Sequence, residues 1–394
     1  MNTQTSSTRW FGGLDGLRAL AATLIVVHHA GFSSGLTFRN EFLGQFFSRM
    51  DIGVSIFFVL SGFLLYRPFV EKQFAEKPSD KTKYFWIKRL VRIYPAYWLA
   101  LIVILWSGAV EVFGANGMTL TFSLTQIYHP TRALSEGISQ SWSLATELGF
   151  YLVLPLLAVS GRKLARGKSI NQQASYLLLM CAGLSITSYI FRAVMASLAE
   201  SDLDWWGATA NLWMPSYLDT FSIGMALAVI SAWMEKEKKI ADFIRPFVRC
   251  AWWWWLSAAI LFWLVSTQLG LTSQWETGLW YKNFEREVTR QTLYWIIGMF
   301  LLIPLIFGDS SFSSGLKFFS SKIMVYLGTI SYGIYLWHQG FLTWIHQWFD
   351  WPELSGNFLA LLAFSLIGSF IVAGLSYWLL EKPLNEKLRE ILRR

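Results

Sequence analysis

The chain has 394 residues, of which 54% are hydrophobic, 17% aromatic and only 15% charged. About a quarter of the residues of a soluble domain are charged, so this composition excludes an ordinary soluble domain and predicts a polytopic membrane protein. The formal net charge is +8, an excess of lysine and arginine whose distribution along the chain is informative.

Apolar stretches of about twenty residues, the length that crosses a bilayer as a helix, recur along the whole chain. We therefore predict an all-α bundle of about ten transmembrane helices, in a single domain that covers residues 1–394. Because the last span ends near residue 380, we expect no fused extracytoplasmic domain. The predicted spans are 14–32, 51–70, 93–110, 142–160, 174–198, 213–233, 250–269, 290–308, 323–346 and 357–380.

Lysine and arginine crowd the cytoplasmic loops of membrane proteins. If the N-terminus is cytoplasmic, most of the 33 lysine and arginine residues fall in the inner segments. This asymmetry predicts a multi-pass protein of the cell membrane with both termini in the cytoplasm. It favours anionic lipid headgroups, or a soluble polyanion such as a nucleotide cofactor, over nucleic acid as the partner. The inner segments are 71–92, 161–172, 234–249, 309–322 and 381–394.

The first span carries ionisable residues at both ends, with Asp15 and Arg18 near its start and His28 and His29 near its end. At about 100° per residue, eleven steps place Arg18 and His29 on nearly the same helical face, about 16 Å apart. Ionisable residues inside a span normally line a path or a site, and histidine can act as a general base near neutral pH. The alternative is structural: Arg18 lies at the headgroup level and a histidine bonds a neighbouring helix.

The second span contains small residues among large aromatic ones. Gly53, Ser55, Ser61 and Gly62 all fall within its first twelve positions. Small side chains allow two helices to approach closely, so the pattern by itself predicts packing.

Two arginines precede the third span. Arg89 and Arg92 are three positions apart and therefore share a helical face, from which they can make forked contacts with phosphate oxygens. Basic residues are also common where a helix leaves the cytoplasm. Both interpretations, a phosphate site and an ordinary helix start, stay open.

The fourth span opens with polar residues at four-residue intervals. Ser143, Glu147 and Tyr151 share one helical face, and Glu147 lies about one turn inside the span. A carboxylate at this depth can hold an imidazole in one tautomer, pair with an arginine or remain protonated. A purely structural bond between helices is the alternative.

The ninth span contains the stretch from Ser331 to His338. His338 either lines the same cavity as the residues above or packs between helices.

Taken in order, these motifs resemble the acyltransferase-3 family of membrane proteins, which O-acetylate or O-acylate surface glycans, nodulation factors and some macrolides. The resemblance runs from the first predicted span to the last. The matching stretches are Leu14 to Arg18 with His29, Phe57 to Leu64, Arg89 with Arg92, Trp142 to Leu144 with Glu147 and Tyr151, Ser331 to His338, and Glu381 to Pro383.

The resemblance implies that an acyl group, commonly acetyl, passes from cytoplasmic acyl-CoA to a hydroxyl of a carbohydrate or macrolide-like acceptor. It implies that Arg18, Arg89 and Arg92 bind the donor. It also implies that His29 is the general base, and Glu147 is the best candidate to orient it. The thioester is already activated, so no metal is expected. Further residues expected to line the site are Asp15, Ser61, Trp142, Ser143, Tyr151 and His338.

Two other classes of protein also place charged residues inside a helix bundle. A transporter or flippase of an acylated or glycan intermediate usually shows repeated halves and broken helices, and the sequence shows neither. A sensor or scaffold would bind no acyl-CoA.

Overall fold

The structure is a computed structural model, and it describes residues 11–78, 81–200, 209–248, 251–269, 280–308 and 314–393. These ranges contain helices and turns but no strand. The predicted all-α class is therefore confirmed.

The described helices follow the chain in this order: α1 (Gly12–Ser33), α2 (Leu36–Arg39), α3 (Glu41–Arg49), α4 (Ile52–Phe74), α5 (Thr82–Trp106), α6 (Gly114–Ser123), α7 (Trp142–Leu164), α8 (Ile170–Glu200), α9 (Leu218–Lys236), α10 (Lys238–Val248), α11 (Ala251–Gln268), α12 (Phe284–Phe307), α13 (Ser314–Phe319), α14 (Lys322–Trp348), α15 (Phe358–Ser376) and α16 (Lys382–Arg393).

Every one of the ten predicted spans coincides with one of these helices. By length and hydropathy, seven helical segments of the described chain are able to cross a membrane, or eight if α10 and α11 form one bent span. Among the helices that coincide with predicted spans, only α1 and α14 fall outside that set of the described chain. Polar residues such as Arg18 and His338 reduce their hydropathy. The structure is thus that of a multi-pass membrane protein, and the count of ten stays a prediction.

One predicted boundary is wrong in a way that matters for the site. The third span is expected to begin at residue 93, but α5 already begins at Thr82. The apolar stretch is only the later part of this helix, and hydropathy does not detect its amphipathic first turns. Arg89 and Arg92 therefore lie inside a regular helix, which fixes both side chains relative to its neighbours.

Helices α1, α4, α9 and α14 form the centre of the bundle, where α4 packs on α9 and α1 packs on α14. Glycines allow both contacts. A Cβ on Gly62 of α4 would collide with the Phe221 carbonyl of α9, and a Cβ on Gly328 of α14 would collide with the Asp15 carbonyl of α1. The close packing predicted for the second span is confirmed.

Contacts between segments show which helix ends lie together. The Arg162 guanidinium donates to the Lys77 carbonyl at 2.7 Å, and Arg67 donates to Glu235 at 2.6 Å. These contacts bring together three of the basic segments predicted to be inner, and we call this end of the bundle the basic end. Parts of segments 71–92, 234–249, 309–322 and 381–394 lie outside the described residues.

Candidate active site

A cavity of about 790 Å³ lies between α1, α4, α5, α7 and α14. These helices are distant in sequence, and each contributes at least one side chain. The structure therefore brings together most of the predicted site; the predicted residues that line this cavity are Arg18, Ser61, Arg89, Arg92, Ser143, Glu147 and Tyr151. We call it the cationic cavity.

The three arginines of the cationic cavity are balanced unequally. Arg18 pairs with Asp15 across one helical turn at 2.9 Å, which places Asp15 beside the cavity. Within the described part of the chain, neither Arg89 nor Arg92 forms an ion pair with a carboxylate. The Arg89 guanidinium lies over the Tyr151 ring at 5.8 Å, and its buried Nε has no hydrogen-bond partner. The cavity therefore holds two cations that are available to an anionic ligand.

Glu147 makes a different contact from the expected one. Its carboxylate accepts a hydrogen bond from the Ser61 hydroxyl of α4, and the predicted contact with His29 is not formed. The two residues lie at different depths, because Glu147 faces the same cavity as Arg18 whereas His29 lies three turns, about 16 Å, farther along α1.

His29 instead contacts a second histidine. The His29 Nδ1 atom lies 3.1 Å from the His338 Nε2 atom of α14, and we call these residues the histidine pair. His338 is fully buried, and the Ser365 hydroxyl of α15 donates to its carbonyl at 3.0 Å. The two positions are 309 residues apart in sequence, so no local pattern predicts the contact.

Two backbone carbonyls fix the tautomers of the histidine pair. His29 Nδ1 lies 3.0 Å from the Ile25 carbonyl, and His338 Nδ1 lies 3.3 Å from the Ile334 carbonyl. A carbonyl only accepts, so both Nδ1 atoms carry the proton. The one proton on His29 Nδ1 is then shared between the Ile25 carbonyl and His338 Nε2, and His29 Nε2 is left with a lone pair. In its neutral form, His29 can therefore accept a proton at Nε2.

The neighbouring histidine is held elsewhere. His28 Nδ1 lies 2.8 Å from the Phe47 carbonyl of α3, and its ring is perpendicular to that of His29 within 15°. Consecutive positions on a helix point about 100° apart, so only His29 reaches α14.

The side chain of Tyr335 lies between the cationic cavity and the histidine pair. Phe57 and Tyr335 line the cavity, and the Tyr335 ring centroid is 5.8 Å from that of His338. The Tyr335 hydroxyl donates to the Gln140 carbonyl at 2.7 Å and lies 2.7 Å from the Ser143 hydroxyl. The Tyr335 ring thus contacts the histidine pair and lines the cationic cavity.

Trp142 is the predicted lining residue that the structure places in a packing role. Its ring packs against Tyr217 at 5.8 Å and against Phe58 at 6.5 Å. It is not among the residues that line the cationic cavity; its indole packs instead against Phe58 of α4 and against Tyr217, the residue just before α9.

Tyr332 and Tyr335 line the cavity but are not among the residues predicted for the site. A signal was present, since Tyr332, Tyr335 and His338 recur every three positions and share one face of α14.

The residues described contain no group of three histidine, cysteine or acidic side chains positioned to hold a metal.

A comparison with known families decides which one the chain belongs to. An acyltransferase domain model matches residues 11–378, which is nearly the whole chain. The chain belongs to the acyltransferase-3 family.

Two relatives of this family member are named O-acetyltransferases. The chain is 26% identical to peptidoglycan O-acetyltransferase OatA of Listeria monocytogenes, over 96% of this chain and 56% of that protein. It is 22% identical to O-acetyltransferase OatA of Staphylococcus aureus, over 97% of this chain and 58% of that protein. The chain thus spans little more than half the length of these relatives. No solved structure matches it.

Proposed function

We propose that this protein is a membrane O-acyltransferase that moves an acyl group, commonly acetyl, from acyl-CoA to a hydroxyl of a carbohydrate acceptor. The observation that carries the proposal is a cavity in which two arginines have no carboxylate partner among the described residues, followed along the bundle by the histidine pair, in which only Nδ1 of His29 contacts the described groups. The names of the relatives support acetyl as the acyl group and a glycan such as peptidoglycan as the acceptor.

The cationic cavity fits the phosphates of an acyl-CoA donor. Arg89 and Arg92 have no carboxylate partner among the described residues, and the buried Nε of Arg89 lacks an acceptor. Guanidinium groups bind phosphate oxygens in a forked geometry, so these two residues would hold the diphosphate. The donor supplies a thioester carbonyl and a thiolate leaving group.

The depth of the bundle matches the reach of such a donor. Its pantetheine arm is about as long as four to five extended amino-acid residues, roughly 14 to 18 Å. Arg18 and His29 are about 16 Å apart along α1. A donor held by its phosphates in the cavity therefore brings its thioester to the level of the histidine pair.

His29 would act as general base. Its Nε2 accepts the proton of the acceptor hydroxyl while the oxygen attacks the thioester carbonyl carbon, the carbon–sulfur bond breaks, and the proton passes on to the departing thiolate. His338 accepts the hydrogen bond from His29 Nδ1 and so stabilises the positive charge that develops on the imidazole. In this scheme Glu147 does not orient His29; it holds the Ser61 hydroxyl within the donor path.

The side of entry follows from charge. Lysine and arginine mark the cytoplasmic ends of membrane helices, so we propose that the basic end faces the cytoplasm, where acyl-CoA is found. The opposite end, which lies nearer to His29 along α1, would receive the acceptor.

Acyl transfer by the purified protein in lipid nanodiscs tests this function. With radiolabelled acetyl-CoA and glycan fragments as acceptors, wild type is expected to form an alkali-labile ester. His29→Ala is expected to lower kcat by about 100-fold or more, the usual contribution of a general base. His28→Ala is the matched control, because His28 contacts Phe47 rather than His338. Acyl transfer that survives His29→Ala and falls in His28→Ala would refute the assignment.

A further inference from the structure

A second cavity lies at the basic end of the bundle, between the last turns of α4 and α7 and the first turn of α8. Its volume is about 1160 Å³. Three basic residues, Arg162, Lys163 and Arg166, line it together with one acidic residue, Glu76. Its lining is therefore strongly cationic.

The frame of this second cavity is held by hydrogen bonds. Gln73 of α4 donates to Gln173 of α8 at 3.1 Å, and Arg162 donates to the Lys77 carbonyl at 2.7 Å. Lys163 and Arg166 are exposed and form no ion pair with a carboxylate in the part of the chain that the structure describes. These two cations are thus free to bind an anion.

The second cavity adjoins the cationic cavity across one layer of aromatic rings. Phe69 lines the second cavity, and its ring centroid lies 5.7 Å from that of Phe85. Phe85 in turn contacts Tyr151 at 6.4 Å and lies under the Arg89 guanidinium at 5.6 Å. Tyr151 and Arg89 both line the cationic cavity.

We propose that the second cavity binds the phosphorylated nucleoside end of the acyl donor, whose diphosphate lies at Arg89 and Arg92. This proposal rests on the proposed function. Lys163 and Arg166 would contact the ribose phosphate, since paired cations bind a phosphate dianion strongly. Phe69 supplies an aromatic face on which a purine stacks.

The spacing between the cavities agrees with one ligand that occupies both. Along α7, Tyr151 and Arg162 are eleven residues or about 16 Å apart, and along α4, Leu65 and Phe69 are about 6 Å apart. An adenosine with its phosphates is of this size. Occupancy of both cavities also leaves the pantetheine arm free to extend towards His29.

Equilibrium binding to the purified protein tests the subsite without an acceptor. In nanodiscs of zwitterionic lipid, the dissociation constants of CoA and of 3′-dephospho-CoA are measured for wild type and for Lys163→Gln/Arg166→Gln. Loss of a charge-assisted contact costs about a factor of 10 in affinity. The double variant is expected to weaken CoA binding by about 10-fold and to leave 3′-dephospho-CoA binding unchanged.

Lys168→Gln is the matched control. This lysine lies two residues beyond Arg166, but its ammonium group rests over the Tyr176 ring at 4.7 Å and does not line the second cavity. It is expected to change neither dissociation constant. If Lys163→Gln/Arg166→Gln weakens both ligands equally, or neither, the subsite does not exist.

Two further outcomes distinguish failure of the subsite from failure of the proposed function. Wild-type protein that binds neither ligand would overturn the proposed function itself, whereas binding without the phosphate dependence overturns only the subsite. An anionic phospholipid offers the same chemistry as the nucleotide. An effect of the double variant that appears only in nanodiscs of anionic lipid would assign the cavity to a lipid headgroup and overturn the proposal.

Discussion

Two regions of the bundle contain arginines in the interior of helices, and they differ in how the charge is balanced. In the cationic cavity, Arg89 and Arg92 have no carboxylate partner among the described residues. Near the opposite end, Arg192 pairs with Asp219 at 2.6 Å, and Arg290 is held by two carboxylates. We call this second region, formed by Arg192, Asp219, Arg290, Asp51 and Glu287, the paired network.

The difference shows which intramembrane charges mark a site. In the paired network each cation meets an anion, and Asp219 is fully buried. Such an arrangement ties α8, α9, α12 and the start of α4 together and balances each positive charge within the protein. In the cationic cavity, Arg89 is partly buried and Arg92 is exposed, so both cations can be reached by an anionic ligand that supplies the missing countercharge.

Breaking the paired network is expected to have the largest effect on stability. Asp219→Asn leaves Arg192 without its anion in the interior, which typically costs about 3 to 5 kcal/mol. Thermal unfolding in detergent should show a large fall in the midpoint, and any loss of acyl transfer should follow the loss of folded protein.

A double variant sharpens this result. Arg192→Met/Asp219→Asn removes both charges and keeps the hydrogen bonds that Asp219 accepts from Thr220 and Gln291. Stability is expected to recover, because an uncharged replacement of a buried ion pair is often neutral. A midpoint that stays as low as that of Asp219→Asn would show that the ion pair itself is required.

Removing the unpaired arginines should have the reverse effect. Arg89→Gln/Arg92→Gln is expected to weaken CoA binding by about 100-fold or more, since contacts to charged groups contribute about 1.5 to 3 kcal/mol each. The unfolding midpoint should not fall, because no internal ion pair is lost.

Lys88→Gln is the control for this binding measurement, since Lys88 lies on the same helix but does not line the cavity. It is expected to bind CoA as wild type does. If the unfolding midpoint of Arg89→Gln/Arg92→Gln falls as far as that of Asp219→Asn, the arginines of the cationic cavity stabilise the fold as those of the paired network do, and the two regions do not differ in role.

The smallest effect is expected at the boundary between the cavity and the histidine pair. Tyr335→Phe removes the hydroxyl that bonds the Gln140 carbonyl and Ser143, but keeps the ring. Loss of a buried hydrogen bond costs about 1 kcal/mol, so kcat should fall by only a few-fold while the dissociation constant of CoA is unchanged. A weakened affinity for CoA would instead show that the Tyr335 hydroxyl, and not only the ring that lines the cavity, contributes to donor binding.

Much of this candidate site could be predicted from hydropathy and residue spacing in the sequence. Hydropathy located helices at the predicted spans, and helical spacing correctly grouped Ser143, Glu147 and Tyr151 on the face of α7 that lines the cavity. The pair Arg89 and Arg92 likewise shares a face towards it. These predictions succeed because rotation about a helix axis is fixed by the backbone at 3.6 residues per turn.

Only the tertiary structure decided which faces meet. Spacing places His29 on a face of α1 but contains no information on whether Glu147 or His338 lies opposite, and the choice of His338 depends on how closely Gly328 lets α14 approach α1. The balance between Arg192 and Asp219 depends in the same way on the packing of α8 against α9. Sequence thus set the helices and the directions of their side chains, whereas packing between helices, which depends on side-chain shape far apart in the chain, set the contacts that give those residues their roles.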